Sequence, residues 1–166
     1  MTTELLISNK RSGKLWEVSN CVEEATWTTN RTGSPGKFEF TLLKAGDIAF
    51  LEGDVVRFSV DGQLQFYGWV FTKEKDRWGV IKVTCYDRLR YFKANASYAF
   101  YGMTAGQIIQ QIAGDLQVDV GKIDETGYAL PSYIKQDQGC LDIIGEAVQR
   151  TLLNTGKIFV FYDDGN

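Results

Sequence analysis

The chain has 166 residues, 44% of them apolar and 23% charged, which is ordinary globular usage and excludes both compositional disorder and a large multidomain enzyme. Eighteen Lys and Arg against 21 Asp and Glu leave a formal charge of -3, which excludes a global electrostatic attraction for nucleic acid or anionic lipid. The absence of histidine excludes Ser-His-Asp and Cys-His nucleophile systems and any zinc site that needs a His ligand; the three cysteines, Cys21, Cys85 and Cys140, are too few for a Cys₄ site, odd in number, and read as reduced core thiols.

The start, Met1 to Ser8, lacks a basic region and a long apolar run, and nowhere do about 18 apolar residues run uninterrupted, so the chain reads as soluble, without a signal peptide or membrane insertion. Leu5-Leu6-Ile7 and Leu15-Trp16-Glu17-Val18 flank the polar loop Asn9 to Gly13 as a hairpin. A strand near Val22 to Thr29 follows, then a turn at Thr32-Gly33-Ser34-Pro35-Gly36. Phe38, Phe40 and Leu42 then alternate with Glu39 and Thr41 at the two-residue period of a half-buried strand.

The clearest local signal is Asp61-Gly62 between Val55–Val60 and Gln63–Phe71, because a type I′ turn requires positive φ at both central residues. Replacing Gly62 with a β-branched residue is expected to be destabilising. The second arm extends to Glu74, turns near Asp76-Arg77-Trp78-Gly79 and returns as Val80 to Tyr86. Six or seven sequential antiparallel strands predict a small barrel or a strongly curled sheet, since closure removes exposed edges.

After Asp87 the period changes. Thr104 and Gln107 form a capping-box signature ahead of Ile108, Ile109, Ile112, Ala113 and Leu116 at helical spacing. A second helix places Leu141, Ile144, Val148 and Leu152 on one stripe and ends at Gly156. Lys157 to Tyr162 then reads as a terminal strand, apolar on both faces and expected to be buried among neighbours, either paired edge to edge with a second chain or covered by its own helices. The closing Asp163-Asp164-Gly165-Asn166 resembles a hairpin turn with no returning strand, the mark of an N-terminal piece of a longer protein or of a frayed end. The predicted fold class is α+β: an N-terminal antiparallel β-barrel over residues 1–95, then an α+β segment over 96–166, the start of a second, truncated domain.

Chemical motifs fail on inspection. Gly156-Lys157 ends like a phosphate-binding loop, but Thr151 stands where its first Gly belongs and Ile158 where Ser or Thr belongs. Asp115, Asp119 and Asp124 with Gly121 approach a calcium loop, with the Gly one place late and Thr126 where the bidentate Glu belongs. Asn30-Arg31-Thr32 and Asn95-Ala96-Ser97 are glycosylation sequons that matter only on a secretory route. Asp54, Asp87 and Asp142 are candidate carboxylates for acid-base work that look like ordinary caps. No catalytic residue, cofactor or metal is expected. Trp16, Trp27 and Trp69 read as core or strand-face packing, whereas Trp78 beside Arg77 at a hairpin tip is a candidate partner contact. Lys73 and Lys75 lead to it, and Ile158 and Val160 are the corresponding candidates on the terminal strand.

Tyr101-Gly102-Met103-Thr104-Ala105-Gly106-Gln107-Ile108-Ile109, then Thr126-Gly127-Tyr128, then Leu152 to Val160 resemble the baseplate hub proteins of contractile phage tails, as found in prophages, defective phages and phage-tail-like bacteriocins. The wider group includes late control protein D and the hub of type VI secretion spikes. Asp54-Val55-Val56-Arg57-Phe58 and Phe66-Tyr67-Gly68-Trp69-Val70 are similar to that family's opening barrel, so the likeness covers nearly the whole chain. The resemblance implies a non-enzymatic structural role in a virion or tail-like particle. It implies homotrimers with two similar barrels per subunit, matching a hexameric tail tube above and a trimeric spike below, with tube, spike and other baseplate proteins as partners. It also implies a protein about twice this length, so that this stretch alone would be a monomer or an edge-paired dimer. A cell-wall or carbohydrate-binding module, motivated by 13% aromatic residues, is the rival reading, and a cell-wall hydrolase a third.

Overall fold

Seven strands, β1 (Thr3–Ser8), β2 (Leu15–Glu17), β3 (Val22–Thr28), β4 (Lys37–Leu43), β5 (Val55–Val60), β6 (Gln63–Lys75) and β7 (Val80–Tyr86), form one antiparallel sheet in the order β2-β1-β5-β6-β7-β4-β3. The computed structural model describes residues 2–30, 33–43 and 46–165; Arg31 and Thr32 of the first sequon and predicted turn, and Asn166 of the terminal turn, lie outside the described residues. The chain divides into two units. One holds the described residues of Met1–Thr29, Pro35–Asp87 and Asp163–Asn166, the other those of Asn30–Ser34 and Arg88–Tyr162.

The sheet is curled but, among the described residues, not closed. β2 and β3 are its two edges and do not pair with each other. β2 is only three residues long and is followed at once by a 3₁₀ turn over Ser19–Cys21, so it offers too short an edge for the ladder that closure needs. The curl is nevertheless strong. Phe38 of β4 and Phe58 of β5 are separated by β7 and β6, about 14 Å along a flat sheet, yet their rings stack at 4.9 Å. Phe38 also stacks on Phe66 of β6 at 5.2 Å. Leu5, Ile7, Phe40, Leu42, Val56, Val70, Ile81, Val83 and Cys85 complete this core from the concave face.

The turns form for local reasons. Asp61 and Gly62 take φ of 49° and 78°, as a two-residue primed turn demands, and Val60 pairs with Gln63 across it. In the first hairpin, Asn9 Oδ1 accepts hydrogen bonds from the backbone N–H of Arg11 at 3.0 Å and of Ser12 at 2.8 Å.

The second unit is α+β. α1 (Ala105–Asp115) starts with the expected capping box: Gln107 N–H donates to Thr104 Oγ1, and Thr104 N–H donates to Gln107 Oε1 at 2.9 Å. α2 (Cys140–Thr155) ends at Gly156, whose φ of 71° gives the left-handed C-cap. The strand β8 (Asn95–Phe100) pairs with β11 (Tyr133–Gly139), and the short β9 (Met103–Thr104) with β10 (Ala129–Leu130). Ile108, Ile112, Ile143, Ile144, Phe92, Phe100, Leu130 and Tyr133 are the centre of its core.

The predicted terminal strand is corrected in two respects. Residues 157–162 form no ladder with another strand among the described residues. They are also buried on one face only: Phe159 and Phe161 pack against the core, Phe161 meeting Phe92 edge to face at 5.4 Å, while Ile158, Val160 and Tyr162 are exposed. Successive side chains of an extended segment point to opposite sides, so a segment that lies on one core buries alternate residues and leaves the others in solvent.

Candidate protein-interaction site

The β6–β7 hairpin ends in a turn that its own sequence locks. Asp76 Oδ1 accepts from the backbone N–H of Trp78 at 2.8 Å and of Val80 at 2.9 Å, while Asp76 N–H donates to Val80 O at 2.9 Å. Gly79 closes the turn at φ of 90°, a conformation glycine alone adopts cheaply. On this rigid base Trp78 is 71% exposed, and the Arg77 guanidinium lies 3.9 Å from its ring centroid. The pair forms one amphipathic surface, apolar with a fixed positive charge, of the composition that dominates protein-interface energetics.

The candidate residues are not all gathered there. Lys75 is exposed opposite Ile81, next to the tip. Lys73 is diverted: its ammonium donates to Phe50 O at 2.6 Å and lies 4.9 Å from the Phe50 ring, anchoring the loop before β5. Ile158 and Val160 belong to the other unit, where with Tyr162 they make a separate apolar strip.

A second surface escaped the reading of the sequence. The outward face of β6 carries Tyr67, Trp69 and Phe71 in succession, with Tyr86 of β7 beside them. Tyr67 meets Trp69 edge to face at 5.5 Å and 88°, and Phe71 meets Tyr86 at 5.3 Å and 87°. Arg57 stands over Tyr67 at 5.3 Å and Lys10 over Trp69 at 5.6 Å. The period-two run of aromatic residues was its signal; the cations arrive only through the β5–β6 register and the first hairpin loop.

The candidate carboxylates are structural. Asp54 Oδ2 accepts from Asn9 Nδ2 and from Leu51 N–H, both at 2.8 Å, so it ties the first hairpin loop to the approach to β5. Asp87 Oδ2 accepts from Gly36 N–H at 2.7 Å. Asp142 lies in the first turn of α2, where a negative charge favours the helix dipole. The carboxylates of the near-calcium loop are dispersed: Asp115 accepts from Tyr98 Oη at 3.0 Å, and Asp124 pairs with Lys122 at 2.9 Å. Among the described residues no three His, Cys, Asp or Glu side chains are grouped as a metal site would need. Gly156 caps the carbonyl end of α2, the wrong polarity for a phosphate.

Burial disfavours ionisation of two cysteines and two tyrosines. Burial pushes the Cys85 thiol up, and Cys140 likewise, the opposite of an activated nucleophile. Tyr98 is pushed up to about 12, first by burial and then by its hydrogen bond to Asp115. Burial raises Tyr133 too, and its hydroxyl donates to Ile143 O at 2.7 Å. No helix among the described residues is long and apolar enough to cross a membrane.

Comparison with known proteins gives the chain its relatives. It is 33% identical over 148 residues to the phage-like element PBSX protein XkdQ of Bacillus subtilis, matching 86% of this chain and 45% of that protein. It is 34% identical over 114 residues to the uncharacterized protein YqbQ of the same organism, matching 67% of this chain and 34% of that one. The chain thus spans less than half the length of these curated relatives. Two solved structures share its fold: the 43 kDa tail protein of prophage MuSo2 from Shewanella oneidensis, with a TM-score of 0.70 at 13% identity, covers 89% of this chain and 48% of its own. The tail protein from Neisseria meningitidis MC58, with a TM-score of 0.71 at 14% identity, covers 100% of this chain and 49% of its own. The model of the YqbQ-like family matches residues 25–166, and the chain belongs to that family of phage-related proteins.

Proposed function

We propose that this protein is a structural component of a phage or phage-like tail, and specifically a hub that joins a hexameric tail tube to a trimeric spike in the baseplate. Its work is geometric: surfaces of fixed shape pair with different neighbours above and below, and association draws its energy from buried apolar area. The observation that carries the reading is the Arg77–Trp78 tip, a large aromatic surface held out on a turn with four defined hydrogen bonds. A tryptophan 71% exposed beside a guanidinium adds little to the core of its own sheet and leaves its ring available to a partner. Kinship with a phage-like element protein and a fold shared with prophage tail proteins support the tail setting.

The test is co-expression of the whole protein with the tube and spike proteins encoded beside it, followed by size-exclusion chromatography and electron microscopy. Trimers that co-purify with both partners are expected. Trp78→Ala should weaken tube or spike co-purification by roughly tenfold or more while the thermal midpoint of the isolated protein stays unchanged. A monomer that binds neither partner, or a Trp78→Ala protein that assembles like wild type, overturns the assignment of the tip.

A further inference from the structure

We infer that residues 157–162 form a strap that opens on its own, releasing Phe159 and Phe161 from the second unit and freeing a β-forming run that the folded chain leaves out of any ladder. The strap and its seat both belong to the second unit, so nothing here depends on the hub assignment. Composition and conformation disagree at this segment. Ile158, Phe159, Val160, Phe161 and Tyr162 are all β-branched or aromatic, the residue types that favour a sheet. Among the described residues, however, none of their main-chain N–H or C=O groups hydrogen-bonds to another residue, in a ladder or outside one. The last main-chain donors held before the run are Gly156 N–H, on Leu152 O at 2.8 Å, and Lys157 N–H, on Thr155 Oγ1 at 3.1 Å. A local preference that the fold does not use marks a segment with a second state within reach.

Two side chains hold the strap. Phe159 and Phe161 are each half-buried against the core of the unit, with Phe161 edge to face on Phe92 at 5.4 Å. The seat is loose. Phe161 lines an open groove of about 310 Å³ together with Leu89, Leu141, Ile144 and Val148, so its ring borders this space without filling it. On the other side Ile158, Val160 and Tyr162 are exposed and add no anchor. Gly156, at φ of 71°, gives the strap a pivot free of side-chain hindrance. Opening therefore breaks side-chain contacts alone, whereas opening β8 or α2 also breaks hydrogen-bonded ladder or helix. Closed, the two docked rings hold one face of the run against the core. Open, both faces and both edges are offered to a strand of another chain.

Chymotrypsin reads the opening directly, because it cuts after a phenylalanine only when that ring enters its own specificity pocket, and a docked ring cannot do so. The chain is digested briefly at several urea concentrations below the unfolding transition, and the first cuts are mapped by mass spectrometry. Cuts after Phe100 and Tyr133, both 1% exposed in the same unit, report unfolding of the unit as a whole. Cuts after Phe159 and Phe161 are expected at least about a hundredfold faster than these, with little dependence on urea, since a local opening exposes little surface. Phe161→Ala should raise cutting after Phe159 roughly tenfold by removing one of the two anchors. Cutting after Phe159 and Phe161 that is no faster than after Phe100, or that climbs as steeply with urea, overturns the proposal. An unchanged rate after Phe159 in the Phe161→Ala chain overturns it too.

Discussion

Replacing Gly68 with Ala should destabilise the sheet unit by about 2–3 kcal/mol, the upper range for an overpacked core. Gly68 sits in the middle of β6 opposite Val56, and its φ is not in the left-handed region, so backbone conformation imposes nothing there. Space does. A Cβ on Gly68 would fall 2.3 Å from Tyr86 O, 2.8 Å from Tyr86 C and 2.5 Å from Phe66 Cζ, whereas ordinary contact begins at 3.4 Å. About 1 Å must therefore be found in an interior packed to crystal density. Neither neighbour gives easily. The Phe66 ring is buried and stacked on Phe38, and the Tyr86 backbone is held between Trp69 of β6 and Lys37 of β4. Urea unfolding followed by tryptophan fluorescence and circular dichroism measures the loss. A Gly68→Ala stability within about 0.5 kcal/mol of wild type, the range of a neutral surface change, would refute the close approach of β6 and β7 described above.

Gly62→Val should cost about 1–3 kcal/mol, because a β-branched residue is strained at positive φ even though the space around Gly62 is open; an unchanged unfolding midpoint contradicts this. Gly145→Ala should stabilise the second unit by about 0.5–1 kcal/mol, since Gly145 lies inside α2 and an added Cβ meets nothing within 4 Å; a loss in thermal midpoint would sink the idea. Thr104→Ala removes the capping box of α1 and should cost about 1 kcal/mol, measured by the same unfolding curves. Glu146 is held below its ordinary value of 4.5, mainly by its hydrogen bond from Lys135, with Arg150 adding to it and burial opposing. A depressed carboxylate contributes stability above its unfolded value that is lost as pH falls through its folded one, so the second unit should weaken below about pH 4.5. Glu146→Gln should flatten that slope in an acid titration of the thermal midpoint; an unaltered slope assigns it to other groups.

The strands of the sheet unit were legible because each carries its own period or turn. Phe38, Phe40 and Leu42 alternate, and Asp61-Gly62 permits one kind of hairpin, so β4, β5 and β6 follow from local chemistry. Closure was not legible, because whether β2 reaches β3 depends on the length of a three-residue strand and not on any pattern. The β8–β11 ribbon was missed although Ala96, Tyr98 and Phe100 alternate in burial; its partner β11 is interrupted at Asp137, where φ of 48° breaks the period. The Trp78 tip could be anticipated from its place in a turn. That Lys73 is spent on Phe50 could not, since that contact joins residues 23 apart through a loop with no regular structure.

The strand order also dictates a sequence of events in folding. β5, β6 and β7 are the central meander, with β1 and β2 added on one side and β4 and β3 on the other. The two flanking pairs are made first on the ribosome, yet Leu6 must wait for Arg57 and Phe38 for Cys85 before either joins the sheet. Loop-closure entropy of that size places such a unit among slow folders, in the millisecond-to-second range. Until β7 emerges, Ile7, Phe38, Phe40 and Leu42 are apolar strand residues without a core, so the nascent chain passes through its most aggregation-prone state roughly halfway along this sequence.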